Sequence, residues 1–247
     1  MKGMRKVGVL VTGLVAGGLA ACSPLRMGVP ESLDREARPV PIHQDKDALG
    51  DGRLRVEEFF ASYDTDAVER VSGAMSMATV CGARSAYRFE LAHTRRANLL
   101  EVECEEQMSG KQAELAMGEG STVGVSDSQN RVSCKLRGGG RLDFTQTRRL
   151  EGATTLAPIV QGQVEVEGVK LLVESTSAQQ KGLPVPYLGF HFRRGEQPVA
   201  SVQVHQPTQL WLAPDLSQQE REAVVLAAFS LMLQRTWTSS GPLDCGS

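Results

Sequence analysis

Thiols and imidazoles are the groups in this chain best suited to chemistry, and their spacing decides which chemistry is open to them. There are five cysteines, Cys22, Cys81, Cys104, Cys134 and Cys245, and four histidines, His43, His93, His191 and His205. None of them recurs at the short spacings by which cysteine and histidine enclose zinc. No Gly-x-Ser-x-Gly elbow or phosphate-binding loop is present, and Gly118, Gly120 and Gly124 are wrongly spaced for a dinucleotide loop. Glu101, Glu103 and Glu105 alternate with Leu100, Val102 and Cys104. That alternation makes them a solvated strand face rather than an acid–base pair. His191 and Arg193 share one face of a strand, with His205 near the end of its hairpin partner. A small anion site is one reading of these three; ordinary surface histidine is the plainer one.

Oxygen ligands call for a separate look. Asp47, Asp51 and Glu58 stand at positions one, five and twelve of a segment that resembles an EF-hand loop, with Gly52 at the sharp turn and Leu54 at the apolar position. Leu49 puts carbon where the third ligand belongs, and Pro39 and Pro41 spoil the entering helix. A turn leading into the first strand or helix is therefore expected instead. No catalytic residue, no metal site and no cofactor is expected.

The elements that must hold any site follow from periodicity. Tyr87, Phe89 and Leu91 alternate with polar or small residues, as do Val132, Cys134 and Leu136, then Leu188, Phe190 and Phe192, and then Ala200, Val202 and Val204. A period of two marks strands with one buried face. Gly138-Gly139-Gly140, Glu167-Gly168 and Gln180-Lys181-Gly182 supply turns between them. Some ten strands in about 160 residues predict a mainly β fold, an antiparallel β-barrel or a large sandwich.

The C-terminal part breaks the pattern. Ser217-Gln218-Gln219-Glu220 is a capping box, and the run Ala223–Leu233 contains one polar side chain, Ser230. A helix over about 217–235 with no polar face must be surrounded on all sides. Its apolar run of about 16 Å is too short to cross a hydrocarbon core of about 30 Å, so it belongs inside the protein.

At the other end, Lys2, Arg5 and Lys6 precede an apolar stretch that closes on Leu19-Ala20-Ala21-Cys22. This resembles the lipobox of bacterial lipoproteins, in which the cysteine thiol takes a diacylglyceryl group, the chain is cut before it, and the new amine is acylated. The resemblance implies a signal peptide over 1–21, lipidation of Cys22, a membrane partner reached through that lipid, and a place in the cell envelope. Ser23 rather than aspartate after the cysteine implies the outer membrane, on its periplasmic face or the cell surface. Residues 22–50, with Pro24, Pro30, Pro39 and Pro41 among scattered charges, are expected to form a lipidated disordered tether. A single β-rich domain would occupy 51–247.

Losing Lys2, Arg5 and Lys6 takes Lys plus Arg from 27 to 24 against 29 Asp plus Glu, a net charge of −5. With no basic cluster, nucleic acid is excluded as a partner. The four remaining cysteines are an even set in an oxidising compartment, so disulfides are expected, with three connectivities open. Opposite charges on the outward faces around Cys104 and Cys134 (Glu101, Glu103 and Glu105 against Arg131, Lys135 and Arg137) favour Cys104–Cys134, which leaves Cys81 with Cys245.

The hairpin Tyr187–Val204, the strand Thr208–Leu212 and the run Pro214–Ser217 into an apolar helix resemble the tubby C-terminal-like superfamily, which includes LURP-one-related proteins and phospholipid scramblases. The resemblance implies a barrel wrapped around a central hydrophobic helix. Tubby domains bind phosphoinositides through a basic pocket, and no Lys–Arg cluster here matches it, so that function is not carried over. The expected role is a non-enzymatic envelope module that binds or assembles with an unknown envelope protein. A carrier or sensor of an apolar ligand is the alternative, and an enzyme with a dispersed site is the third reading. A helix filling the barrel would count against the carrier.

Overall fold

The computed structural model describes residues 25–46, 51–65, 69–75, 78–116, 122–147, 150–151, 154–155, 159–180 and 188–234. The period-two segments are strands. In chain order they are β1 (Val40–Pro41), β2 (His43–Lys46), β3 (Gly52–Val56), β4 (Phe59–Thr65), β5 (Glu69–Met75), β6 (Ala78–His93), β7 (Arg96–Ala116) and β8 (Thr122–Leu136). There follow β9 (Arg141–Thr147), β10 (Leu150–Glu151), β11 (Thr154–Thr155), β12 (Ile159–Val166), β13 (Val169–Thr176), β14 (Gly189–Arg194), β15 (Gln197–Gln203) and β16 (Gln209–Leu212). A short helix α1 (Glu31–Glu36) precedes β1, and α2 (Gln218–Leu233) follows β16.

Among the described residues, fourteen strands join one antiparallel sheet in the order β1-β16-β15-β14-β13-β12-β9-β8-β7-β6-β4-β3-β2, with β5 beside β6; β10 and β11 pair separately. Its two ends, β1 and β2, are parted in sequence only by Ile42. The Ile42 amide donates to the Thr208 carbonyl over 3.0 Å. One segment, Val40–Lys46, therefore pairs with β16 by its first half and β3 by its second. The sheet is a nearly closed barrel, as the alternation predicted. Gly138, Gly139 and Gly140, with φ from 103° to 130°, make the β8–β9 turn in a region closed to most side chains.

Helix α2 fills the interior. Every residue from Ala223 to Ser230 is fully buried. The helix meets opposite walls: the Tyr87 hydroxyl of β6 donates to the Ser230 carbonyl, and Arg194 of β14 pairs with Glu220 at 2.7 Å. Ser217 and Glu220 form the expected capping box. Arg194 also reaches Asp215. Burial would push the Glu220 carboxyl up, but the Ser217 hydrogen bonds and Arg194 prevail and hold it below its ordinary value. Phe59, Phe89, Phe144, Phe190 and Phe192 of the wall and Phe229 of α2 are all buried in one core.

The expected tether is corrected over Leu25–Lys46. Met27, Leu33, Ala37 and Ile42 are buried against the barrel, Pro30 stands at the N-cap position of α1 with no side-chain cap, and Val40–Lys46 lies in the sheet. Four apolar side chains at irregular spacing carry no period, and prolines that suggest a linker are also tolerated at a helix start and on an edge strand. Residues 22–24 and 47–50 lie outside the described residues.

Beyond the barrel wall β6, β7 and β8 run on. β4 pairs with β6 only from Tyr87, and β9 with β8 only from Gln129. Past those points β5, the first half of β6, the second half of β7 and the first half of β8 form a four-stranded arm. Seven residues of it extend about 23 Å.

Candidate functional site

Cys104 and Cys134 sit directly opposite each other on β7 and β8, their Cα atoms 4.0 Å apart, and are bridged. The charge register behind that expectation is present. Glu103 faces Lys135, and Arg137 pairs with Glu101 at 2.6 Å. Cys81 lies in the arm, opposite Gly110 of β7 and Ser72 of β5. Cys22 and Cys245 lie outside the described residues, as does Asp47.

The calcium-loop resemblance ends in a hairpin. Gly52–Val56 is β3, and Glu57, at φ 48°, turns the chain into β4. Gly52 serves close approach, since a Cβ there would collide with the Asp45 carbonyl and the Tyr63 ring. Glu58 is engaged by His93 at 3.1 Å. The His93 Nδ1 accepts from the Arg95 amide, so it is Nε2–H that donates to Glu58. Phe59 meets the same ring edge-on. The group is a clasp on the β3–β4 turn. Among the described residues no three His, Cys, Asp or Glu side chains are grouped to hold a metal ion.

His191 does not join His205 in an anion site. It stands opposite Ser201, with Nδ1 2.8 Å from the hydroxyl, while His205 lies past the end of β15. Burial, aided by the charge of Arg193, lowers the His191 pKa to about 4. A neutral imidazole offers an anion little.

A polar group among the described interior residues carries no mark in the apolar alternation. Ser85, Glu106, Asn130 and Gln146 form a belt across β6, β7, β8 and β9 at the end of the apolar core. Ser85 faces Glu106, and Asn130 faces Gln146. One Glu106 oxygen accepts from Ser85 Oγ at 2.8 Å and the other from Asn130 Nδ2 at 3.1 Å. Glu106 is 1% exposed. One register step inward lies Tyr87, whose hydroxyl donates to the Ser230 carbonyl at 2.9 Å and lies 4.0 Å from Cys134 Sγ. Burial first, and then the charge of Glu106, raise the Tyr87 pKa well above 10.0, which keeps the phenol a donor. The signal lies one step past that alternation: carrying Leu136-Cys134-Val132 further puts Asn130 inside, and Val102-Cys104 leads to Glu106. A buried carboxylate that accepts from the Ser85 hydroxyl and the Asn130 amide ties β6, β7 and β8 together at this level of the wall.

On the outer face a groove of about 510 Å³ lies between the α1 segment and the barrel, lined by Arg26, Arg35, Arg38, Gln180 and Trp211 among others. It mixes basic and acidic side chains with the apolar Met27, Val29, Ala37, Pro39 and Trp211.

In comparisons with known proteins no family model, no curated protein and no solved structure matches the chain.

Proposed function

We propose that the chain is a bacterial envelope lipoprotein, exported by Met1–Ala21, anchored through acyl chains on Cys22, and serving as a non-enzymatic binding or assembly module at the outer membrane. The lipobox residues support the anchor; several acyl chains on one residue exceed what stable attachment needs. The choice of a module over an apolar-ligand carrier is supported by one observation above the rest: α2, fully buried from Ala223 to Ser230, occupies the space a ligand would take. Among the described residues the arm of β5–β8 is paired on one side only at β5 and at the first half of β8, and proteins recognise such edges by adding strands. A nearly closed barrel around an apolar C-terminal helix is also the architecture implied by the tubby-like resemblance, which supports kinship in fold and not in ligand. The second bridge, Cys81–Cys245, belongs to the same proposal.

Native mass spectrometry of the full chain extracted from membranes tests the module against the carrier. The expected mass is that of the acylated chain alone. A lipid or other apolar molecule released in stoichiometric amount on denaturation would favour the carrier.

A further inference from the structure

We propose that the barrel rests directly on the bilayer that holds its lipid, in one orientation, with the segment Leu25–Pro39 on the outer face of β14–β16 turned toward the membrane. The inference rests on the reading of Cys22 as the lipidated residue.

Its basis is a clamp built around Gln203, whose side chain is completely buried. The Gln203 Oε1 accepts from the Met27 amide at 2.7 Å. Its Nε2 lies within hydrogen-bond distance of the carbonyls of Leu25, His205 and Pro207, at 3.0, 3.2 and 2.8 Å. The segment is fixed from the other side as well. The Gly28 amide donates to Ala178, and the Gln180 amide donates to Arg26. Met27 packs where Gly189 leaves room, since a Cβ on that glycine would collide with the sulfur. Leu33 of α1 is buried on the same face. An amide side chain that serves one amide and several carbonyls in a dry site is costly to displace.

The consequence is a matter of chain length. From the Cα of Cys22 to that of Leu25 is three residues, at most about 11 Å. Acyl chains in the bilayer put Cys22 at the headgroup level, so the clamped residues cannot stand further off than that. A free 28-residue tether would average about 26–32 Å. The segment is also electrically suited to the position. Between Leu25 and Pro39, Arg26, Arg35 and Arg38 balance Glu31, Asp34 and Glu36, whereas the mature chain carries 24 − 29 = −5. The face set on the membrane therefore adds no repulsion from an anionic surface, and the groove beside Trp211 opens there.

Neutron reflectometry of the full acylated chain in a supported bilayer of phosphatidylethanolamine and phosphatidylglycerol reads the gap between headgroups and protein. The expected gap is within about 10 Å. A hydrated gap near 30 Å overturns the proposal while leaving lipidation intact. A chain that gains no acyl mass and does not bind the bilayer overturns the reading of Cys22, and this proposal with it. A variant that leaves the barrel untouched gives a second check. Twenty Gly/Ser residues inserted between Ser23 and Pro24 are expected to open the gap by about 15–18 Å, because the span from anchor to clamp then grows from three residues to twenty-three. A widening of only about 10 Å, as when a long tether is merely lengthened, contradicts the clamp.

Discussion

The hydroxyl of Tyr87 on β6 donates to the main-chain carbonyl of Ser230 on α2 over 2.9 Å, joining the barrel wall to the helix inside it. Helix α2 runs to Leu233 with Gln234 as its C-cap, so the Ser230 carbonyl is also the acceptor for the Gln234 amide, and Tyr87 is a second donor on its remaining lone pair. Tyr87→Phe removes one neutral hydrogen bond and is expected to lower the unfolding free energy by about 0.5–1.5 kcal/mol in urea titrations of the unacylated chain. The pH dependence follows from the raised pKa. Stability from this group is full below the unfolded value of 10.0 and is lost as pH rises through the folded one. Wild type should weaken above pH 10 more steeply than the phenylalanine variant; parallel curves would remove Tyr87 from the account.

Phe229 is fully buried in one core with the barrel's phenylalanines. Truncation to alanine is expected to cost about 3–5 kcal/mol. Leu226→Asp places an unpaired charge in the same core and is expected to abolish folding. Circular dichroism melts read both, and a melting temperature within a few degrees of the parent would mean that α2 is not enclosed.

Cys104 and Cys134 close a loop with a sequence separation of 30. In the chain-entropy account such a link contributes roughly 3–4 kcal/mol, lost in Cys104→Ser. Non-reducing peptide mapping of exported protein should recover the Cys104–Cys134 peptide. A Cys81–Cys104 or Cys104–Cys245 peptide is the contrary result.

His191, lowered to about 4 by burial and by Arg193, makes the acid side of the stability curve testable. Its folded pKa is depressed, so its contribution is complete above the unfolded value near 6.5 and declines as pH falls toward the folded one. The loss between pH 6.5 and 4 should reach about 3 kcal/mol for this mostly buried group. His191→Gln, which keeps a partner for Ser201, should flatten that slope, and an unchanged slope would assign it to other groups.

What the sequence revealed depended on repetition. Tyr87-Phe89-Leu91 and Val132-Cys134-Leu136 announce strands because burial repeats every second residue, and Ala223–Leu233 announces a buried helix because it has no polar face. Even the Cys104–Cys134 bridge was legible, through charges on the opposite side of its strands. Docking of Leu25–Pro39 was not, because it depends on backbone groups meeting one glutamine, Gln203, almost 180 residues away, and backbone groups leave no mark in sequence. The belt of Ser85, Glu106, Asn130 and Gln146 lay one step past the apolar residues, where polar identity masked inward position.

The central claim is that Cys22 anchors this filled barrel to a bacterial envelope, and incorporation of labelled palmitate followed by cell fractionation tests it most directly. The wild-type chain should carry the label and sediment with the membranes, while Cys22→Ser loses the label and appears in the soluble fraction. A serine variant that is labelled and retained as fully as wild type would contradict the account.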